Sequence, residues 1–205
     1  MTSPLQSIVI ADDDSVVLRL LARAVAELGY TLAGQAADGY QAVELVKIHR
    51  PDVLLADIHM PNVDGLQAMT MIVPLGSTAI VLLTGDTNPE LARRALDAGA
   101  SGYLHKPFEI LQLGATLENA WHRFKTIQGL NEQTRLLEET LELRKLAEKA
   151  KGILMEEQGI PEAEAHRLLQ KMSQDQSLPL KEVCRSVIQV RMVLGNKTRP
   201  SPRKP

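Results

Sequence analysis

Three short, almost unbroken aliphatic runs constrain this chain most: Ile8-Val9-Ile10-Ala11, Val53-Leu54-Leu55-Ala56 and Ala79-Ile80-Val81-Leu82-Leu83. Each is as long as one strand, and a strand that is apolar at every position has to be covered on both faces. Segments of helical apolar spacing lie between the strands: Val16 to Leu28 (stopped by Gly29), Gly39 to His49, and Pro89 to Ala98. Thr31 to Ala37 reads as a second strand and Gly102-Tyr103-Leu104 as a short fifth. Fully apolar strands alternating with amphipathic helices make a parallel sheet with helices on both sides and right-handed crossovers. The first half is therefore α/β, a five-stranded parallel doubly wound sheet.

The second half has a different pattern. From about Leu111 it is helical and long. Ile127, Leu130, Thr134, Leu137 and Leu141 alternate spacings of three and four, as a coiled-coil seam does, although Thr134 is polar and Gly129 interrupts. This stripe is either a dimer seam or the exposed side of one long helix. Three helical stretches with breaks follow: Leu143 to Gln158 ending at Gly159, Pro161 to Met172, and Pro179 to Leu194 ending at Gly195. Pro at a first-turn position suits the last two. The expected organisation is a domain over 1–123, a helical coiled-coil linker over 124–142, a three-helix domain over 143–194, and a basic, Pro-rich, disordered tail over 195–205.

Charge divides the same way. Residues 1–116 carry 7 Lys/Arg against 13 Asp/Glu, and residues 117–205 carry 16 against 12, which together give the net −2. An acidic half joined to a basic half suggests two tasks, the second involving a polyanion. No run of about 18 apolar residues exists to span a membrane, and Met1 to Ser7 lacks the pattern of a signal peptide. The single cysteine, Cys184, sits at helical spacing with Val187 and Ile188 and reads as a buried structural thiol. A cytoplasmic location follows as the expectation.

Open parallel sheets place their sites at strand carboxyl ends. Asp12, Asp13 and Asp14 follow strand one, Asp57 strand three, Thr84 strand four and Lys106 strand five. Alone, the acidic triplet is explained by helix capping and dipole-favoured acids, and Asp14 fits that role. Together, the four strand ends bring carboxylates, a hydroxyl and an ammonium to one edge. Clustered carboxylates repel, and a hard divalent cation such as Mg2+ relieves the repulsion. Asp57 is then a nucleophile toward a phosphoryl group, Lys106 offsets the charge on its oxygens, and Thr84 donates to the new phosphate.

Ile8 to Asp14 (IVIADDD), Asp57 to Gly65 (DIHMPNVDG), Leu83-Thr84-Gly85 and Ala98 to Phe108 (AGASGYLHKPF) resemble the receiver domains of two-component response regulators, over roughly residues 7–123. The resemblance implies a flavodoxin-like fold and a sensor histidine kinase as phosphate donor. It implies Asp13, Asp57 and the backbone carbonyl of His59 as direct Mg2+ ligands, with Asp12 acting through water. It also implies Thr84 and Tyr103 as a switch pair and a cis bond before Pro107. His59 and Asp86 stand at positions linked in the family to phosphate lifetime, whereas His105 reads as a packed or solvent-facing residue.

The stretch from Leu143 to about Val190 resembles the RNA-binding antiterminator domain called ANTAR. The resemblance rests on Arg144-Lys145-Leu146, Ala150 to Met155 (AKGILM), Gly159, Glu164-Ala165, Leu168-Leu169 and Leu180 to Val183. His166 and Cys184 depart from it, standing where the family has an aromatic and an alanine. Leu146, Ala150, Ile153 and Leu154 fit the inner face of a first helix, Leu168, Leu169 and Met172 that of a second, and Leu180, Val183, Cys184, Val187 and Ile188 that of a third. Arg144, Lys145, Lys149 and Lys151 are the candidate RNA contacts and are expected to face solvent. The competing reading is a solvated face carrying i,i+4 pairs with Glu148, Glu156 and Glu157. No Phe, Tyr or Trp follows Phe124, so base stacking on aromatics is unavailable. The resemblance implies a phosphorylation-controlled transcription antiterminator that binds paired RNA hairpins as a homodimer. The receiver then catalyses only its own phosphorylation and dephosphorylation. The alternatives are a receiver with a helical protein-interaction output, a DNA-binding regulator and, last, an enzyme.

Overall fold

Alternating burial of Ile8, Val9 and Ile10 places successive side chains of one strand in opposite cores, as the twofold period of a strand requires. The computed structural model describes residues 4–86 and 88–195 and divides into two compact units, Met1–Leu130 and Asn131–Pro205. In the first unit, β1 (Ser7–Ala11), β2 (Thr31–Ala36), β3 (Val53–Asp57), β4 (Ala79–Thr84) and β5 (Gly102–His105) form one five-stranded parallel sheet in the order β2-β1-β3-β4-β5. Every residue of β3 and β4 is buried. These are the flavodoxin-like topology and the fully apolar strands expected of it. On one face Val9, Leu54, Ile80 and Leu82 pack with Val46, Met69 and Ile72; on the other Ile8, Leu55, Val81 and Leu83 pack with Leu21, Val25, Leu113, Leu117 and Trp121.

Four of the helices around the sheet start on a side-chain cap. Asp14 accepts from the Val16 amide ahead of α1 (Ser15–Glu27), and Asp38 from Gln41 ahead of α2 (Gly39–His49). Asp64 and Gln67 form a reciprocal capping box at α3 (Gly65–Ile72), and Asn88 caps α4 (Pro89–Asp97). Helix α3, with the 3-10 turn Val73–Leu75 after it, has no counterpart among the helices expected from apolar spacing.

Helix α5 corrects the sequence reading. It runs unbroken through 49 residues, Ile110–Gln158, so no helix break occurs at Leu143, and Gly129 lies within the helix. A mid-helix glycine costs only about 1 kcal/mol relative to alanine, and no proline lies in this stretch to remove a hydrogen bond. Gly159, by contrast, adopts φ +67°, and Pro161 follows it. In the second unit the end of α5, α6 (Glu162–Asp175) and α7 (Leu180–Gly195) enclose a small core of Ala150, Leu154, Ala165, Leu169, Val183, Cys184 and Ile188. Leu146, Ile153, Leu168, Met172, Leu180 and Val187 border it, so the inner faces read from the sequence are those that pack. Cys184 is fully buried and its thiol pKa is pushed up by that burial. His166 is exposed, so its departure from the family pattern falls outside the core. The tail over 196–205 lies outside the described residues, as does the start of the chain over 1–3. Among the described residues no helix is long and apolar enough to cross a membrane.

Candidate functional site

The strand order reverses between β1 and β3, and the carboxyl ends of these two neighbours carry the first acids of the site. Asp12 follows β1 and Asp57 ends β3; both are buried, at 1% and 6% exposure. Lys106, just after β5, joins them: its Nζ lies 2.6 Å from Asp12 Oδ2 and 2.7 Å from Asp57 Oδ1. Burial works to lower the Lys106 pKa, but its hydrogen bonds to Asp12 and Asp57 and their charges outweigh this and hold it above the ordinary lysine value. The ammonium is thus fixed in its charged form between two carboxylates.

Local backbone geometry completes the frame. The Asp14 amide donates to Asp12 Oδ1 at 3.0 Å and the His59 amide to Asp57 Oδ2 at 3.0 Å. These two amides orient both carboxylates. Gly65 comes so close to β3 that an added Cβ would sit 2.2 Å from the Asp57 carbonyl oxygen, so only glycine fits there. The Lys106-Pro107 bond is cis.

The other candidates are placed less uniformly. Thr84 is buried at the end of β4, and its Oγ1 accepts from the Asp86 amide at 3.0 Å. Tyr103 on β5 is 44% exposed. His105 pairs in register with Thr84, and its Nε2 is buried without a hydrogen-bond partner among the described residues. Asp13 and the His59 side chain are exposed. Among the described residues no three His, Cys, Asp or Glu side chains converge as a metal-binding group. The donor set still suits a hard cation. Two buried carboxylates share a single ammonium, a third carboxylate is next in sequence, and Mg2+ asks for few carboxylates beside water and phosphate oxygens.

The basic candidates of the second unit divide into two groups. Arg144, Lys145 and Lys149 are exposed on α5 and make no ion pair among the described residues. Lys151 does not face solvent as expected: it is 8% exposed, and its Nζ lies 2.8 Å from Glu148 and 2.6 Å from Glu162. Its place between the core residues Ala150 and Leu154 turns it toward α6, where Glu162 receives it. Helical spacing alone shows that Lys151 shares a side with Arg144, but not that a second helix covers its end of that side. Hydrogen bonds to Glu148 and Glu162 raise the Lys151 pKa. The basic residues of α7 are tied as well, Lys181 and Arg185 to Glu142 and Arg191 to Glu156 and Glu157. The competing reading from the sequence names Glu148, Glu156 and Glu157 as partners but within one helix; the structure shows Glu156 and Glu157 paired across helices.

Comparison with known proteins agrees with both halves. The response regulator receiver domain family matches residues 8–118 and the ANTAR domain family residues 135–188. The transcriptional regulatory protein PdtaR of Mycobacterium tuberculosis is 38% identical over 182 residues, which is 89% of each chain. A protein-glutamate methylesterase/protein-glutamine glutaminase of Anaeromyxobacter dehalogenans is 39% identical over 108 residues, 52% of this chain but only 32% of that one. Among solved structures, the receiver domain of NarL from Mycobacterium tuberculosis superposes with a TM-score of 0.54 at 32% identity, covering 57% of this chain and 98% of that one. The receiver domain of an HD domain-containing protein from Pseudomonas fluorescens gives 0.54 at 30%, covering 60% and 99%. The match to the methylesterase covers about half of this chain, whereas that to PdtaR, at 182 residues, extends into the helical half. This chain belongs to the response regulators that join an N-terminal receiver domain to a C-terminal ANTAR domain.

Proposed function

We propose that this protein is a phosphorylation-controlled transcription antiterminator. A sensor histidine kinase supplies a phosphoryl group to Asp57, and the output region binds paired RNA hairpins as a dimer. The observation that carries the reading is the pair of buried carboxylates, Asp12 and Asp57, bridged by Lys106 at the strand-order switch, in a chain whose other half is an ANTAR domain. Asp57 is the nucleophile, and Lys106 neutralises charge on the incoming oxygens. Thr84 reads the phosphate, and Tyr103 responds to it. Mg2+ would be held by Asp13, Asp57 and the His59 carbonyl, with Asp12 through water; when bound it offsets the charge of the transferring group. Arg144, Lys145 and Lys149 provide phosphate contacts on α5, whereas Lys151, already paired, holds α6.

A salt titration tests this reading, comparing a paired-hairpin RNA with duplex DNA of equal length. Phosphorylated wild-type protein is expected to prefer the RNA, with affinity falling by about 0.7 to 0.9 log units per phosphate contact for each decade of salt. Asp57→Asn is expected to bind more weakly, and Arg144→Ala with Lys149→Ala to flatten the slope. Equal affinity for both nucleic acids, or no binding to any hairpin in a transcriptome-derived pool, would favour a protein-interaction output instead.

A further inference from the structure

The cations of the second unit are not equally available. Each of the three on α7 is held by acids of α5, and Lys151 is held by Glu148 and Glu162. These four pairings fasten the three helices together and leave little charge on those four side chains for an external anion; Arg144, Lys145 and Lys149 on α5 stay exposed. Helix α6 is different. Lys171 has no hydrogen bond or ion pair among the described residues, and Arg167 has only a 3.3 Å bond from its Nε to the Ala163 carbonyl of its own helix. The two stand one helical turn apart on α6, on the same side.

Both cations line a cleft of about 490 Å3, completed by Gln158, Ile160, Glu164 and Leu168. That volume falls within the roughly 300–1,000 Å3 typical of ligand clefts. Ile160 and Leu168 are partly buried against the small core and supply an apolar wall. The Gln158 amide offers both a donor and an acceptor, and Glu164 adds an acceptor at the rim. Arg167 keeps its two terminal nitrogens and its planar face, and a guanidinium plane stacks on a base where no aromatic is available.

We propose that this cleft between the end of α5 and α6 is a nucleotide subsite that takes one unpaired base of an RNA hairpin loop and its flanking phosphate. The base lies between the Arg167 plane and the wall of Ile160 and Leu168, with its edge toward Gln158. Lys171 and the Arg167 terminus take the phosphate, and Glu164 repels phosphate from the other end, which fixes the direction of the strand. The proposal rests on the RNA-binding reading above and adds a site on a second helix, where sequence selectivity resides; the α5 face alone supplies backbone contacts.

The test uses full-length phosphorylated protein and a paired-hairpin RNA selected by it from a random-loop pool. Arg167→Ala with Lys171→Ala is expected to weaken binding about tenfold or more and to lower the salt slope by about 0.7 to 0.9, the share of one phosphate contact. An abasic replacement at one loop position is expected to weaken wild-type binding about fivefold or more and to leave the double variant unaffected. Arg167→Lys with Lys171→Arg should keep the salt slope while losing sensitivity to the abasic site. Because neither side chain has a hydrogen bond or ion pair to another helix among the described residues, circular dichroism is expected to show an unchanged fold. If wild type selects a hairpin and the double variant binds it equally well, the subsite is overturned while the RNA reading stands. A double variant that remains sensitive to every abasic replacement also overturns it. If wild type selects no hairpin at all, the RNA reading itself fails and the subsite with it.

Discussion

Replacing Asp57 by Asn preserves shape while removing the charge that Lys106 meets at 2.7 Å. The variant is expected to keep its fold and to lose incorporation of phosphate from a small phosphodonor in Mg2+, followed by intact-protein mass spectrometry. Undiminished phosphorylation would show that another acid is the acceptor. Tyr30 offers a second measurement at this scale. Its hydroxyl donates to Glu118 Oε1 at 2.6 Å, and burial, that bond and the Glu118 charge push its pKa from 10.0 up to about 12. A raised pKa favours the protonated form, so the contact contributes its full stability below pH 10 and loses it as pH rises from there through about 12. Ultraviolet titration of the tyrosinate band is expected to show one late-ionising tyrosine, absent in Tyr30→Phe and earlier in Glu118→Gln; a wild-type curve without that late step would mean the bond does not hold in solution. The two residues differ in how readable they are. Asp12, Asp57, Thr84 and Lys106 were legible because each directly follows an apolar strand, and such strand ends share one sheet edge. Which of Asp12 and Asp13 is buried was not legible, because adjacent residues point to opposite sides and only the assembled sheet decides which side is inward.

Helix α5 shows the same limit in elements. Gly129 and Gly159 look alike in a periodicity count, yet one lies within the helix and the other terminates it. What separates them is context: Gly159 precedes Pro161 and takes a left-handed φ of +67°, whereas Gly129 is exposed with strong helix formers on both sides. An added Cβ at Gly129 meets nothing within 4 Å. Gly129→Ala is therefore expected to stabilise the protein by about 0.8 to 1 kcal/mol in urea unfolding. Gly159→Ala forces alanine into the left-handed region and is expected to destabilise by about 1 kcal/mol or more. If both substitutions shifted the midpoint in the same direction, the assignment of one helix through residue 129 would be wrong. Helix α3 was legible in principle, since Asp64 and Gln67 have the spacing of a capping box. Its eight residues are too few for a firm helical period, and that is why it went unread.

At the scale of the whole molecule, the exposed side of α5 carries an apolar stripe. Leu137 and Leu141 are 71% and 53% exposed, at the spacing of a coiled-coil seam. Exposed leucines one turn apart gain little from water and much from a second copy of the same stripe. Leu137→Glu with Leu141→Glu would set like charges across a twofold interface, which costs several kcal/mol, and is expected to raise the dimer dissociation constant about tenfold or more. Both side chains already face solvent, so the folded protomer should be unaffected. Sedimentation at matched phosphorylation decides the matter, and an unchanged oligomer would leave the stripe as a solvated helix face. Thr84→Ala tests whether phosphorylation at Asp57 acts on this stripe. The substitution removes the hydroxyl that accepts from the Asp86 amide but leaves Asp12, Asp57 and Lys106 in place. Phosphate uptake is then expected to persist, while phosphorylation no longer shifts the monomer–dimer balance. If phosphorylated Thr84→Ala dimerised like wild type, the route from Asp57 to the helix would have to bypass the end of β4. A ligand or modification moves an equilibrium only by what it gains in one state over the other, and in this chain Thr84 is the hydroxyl at the pocket whose partner would change.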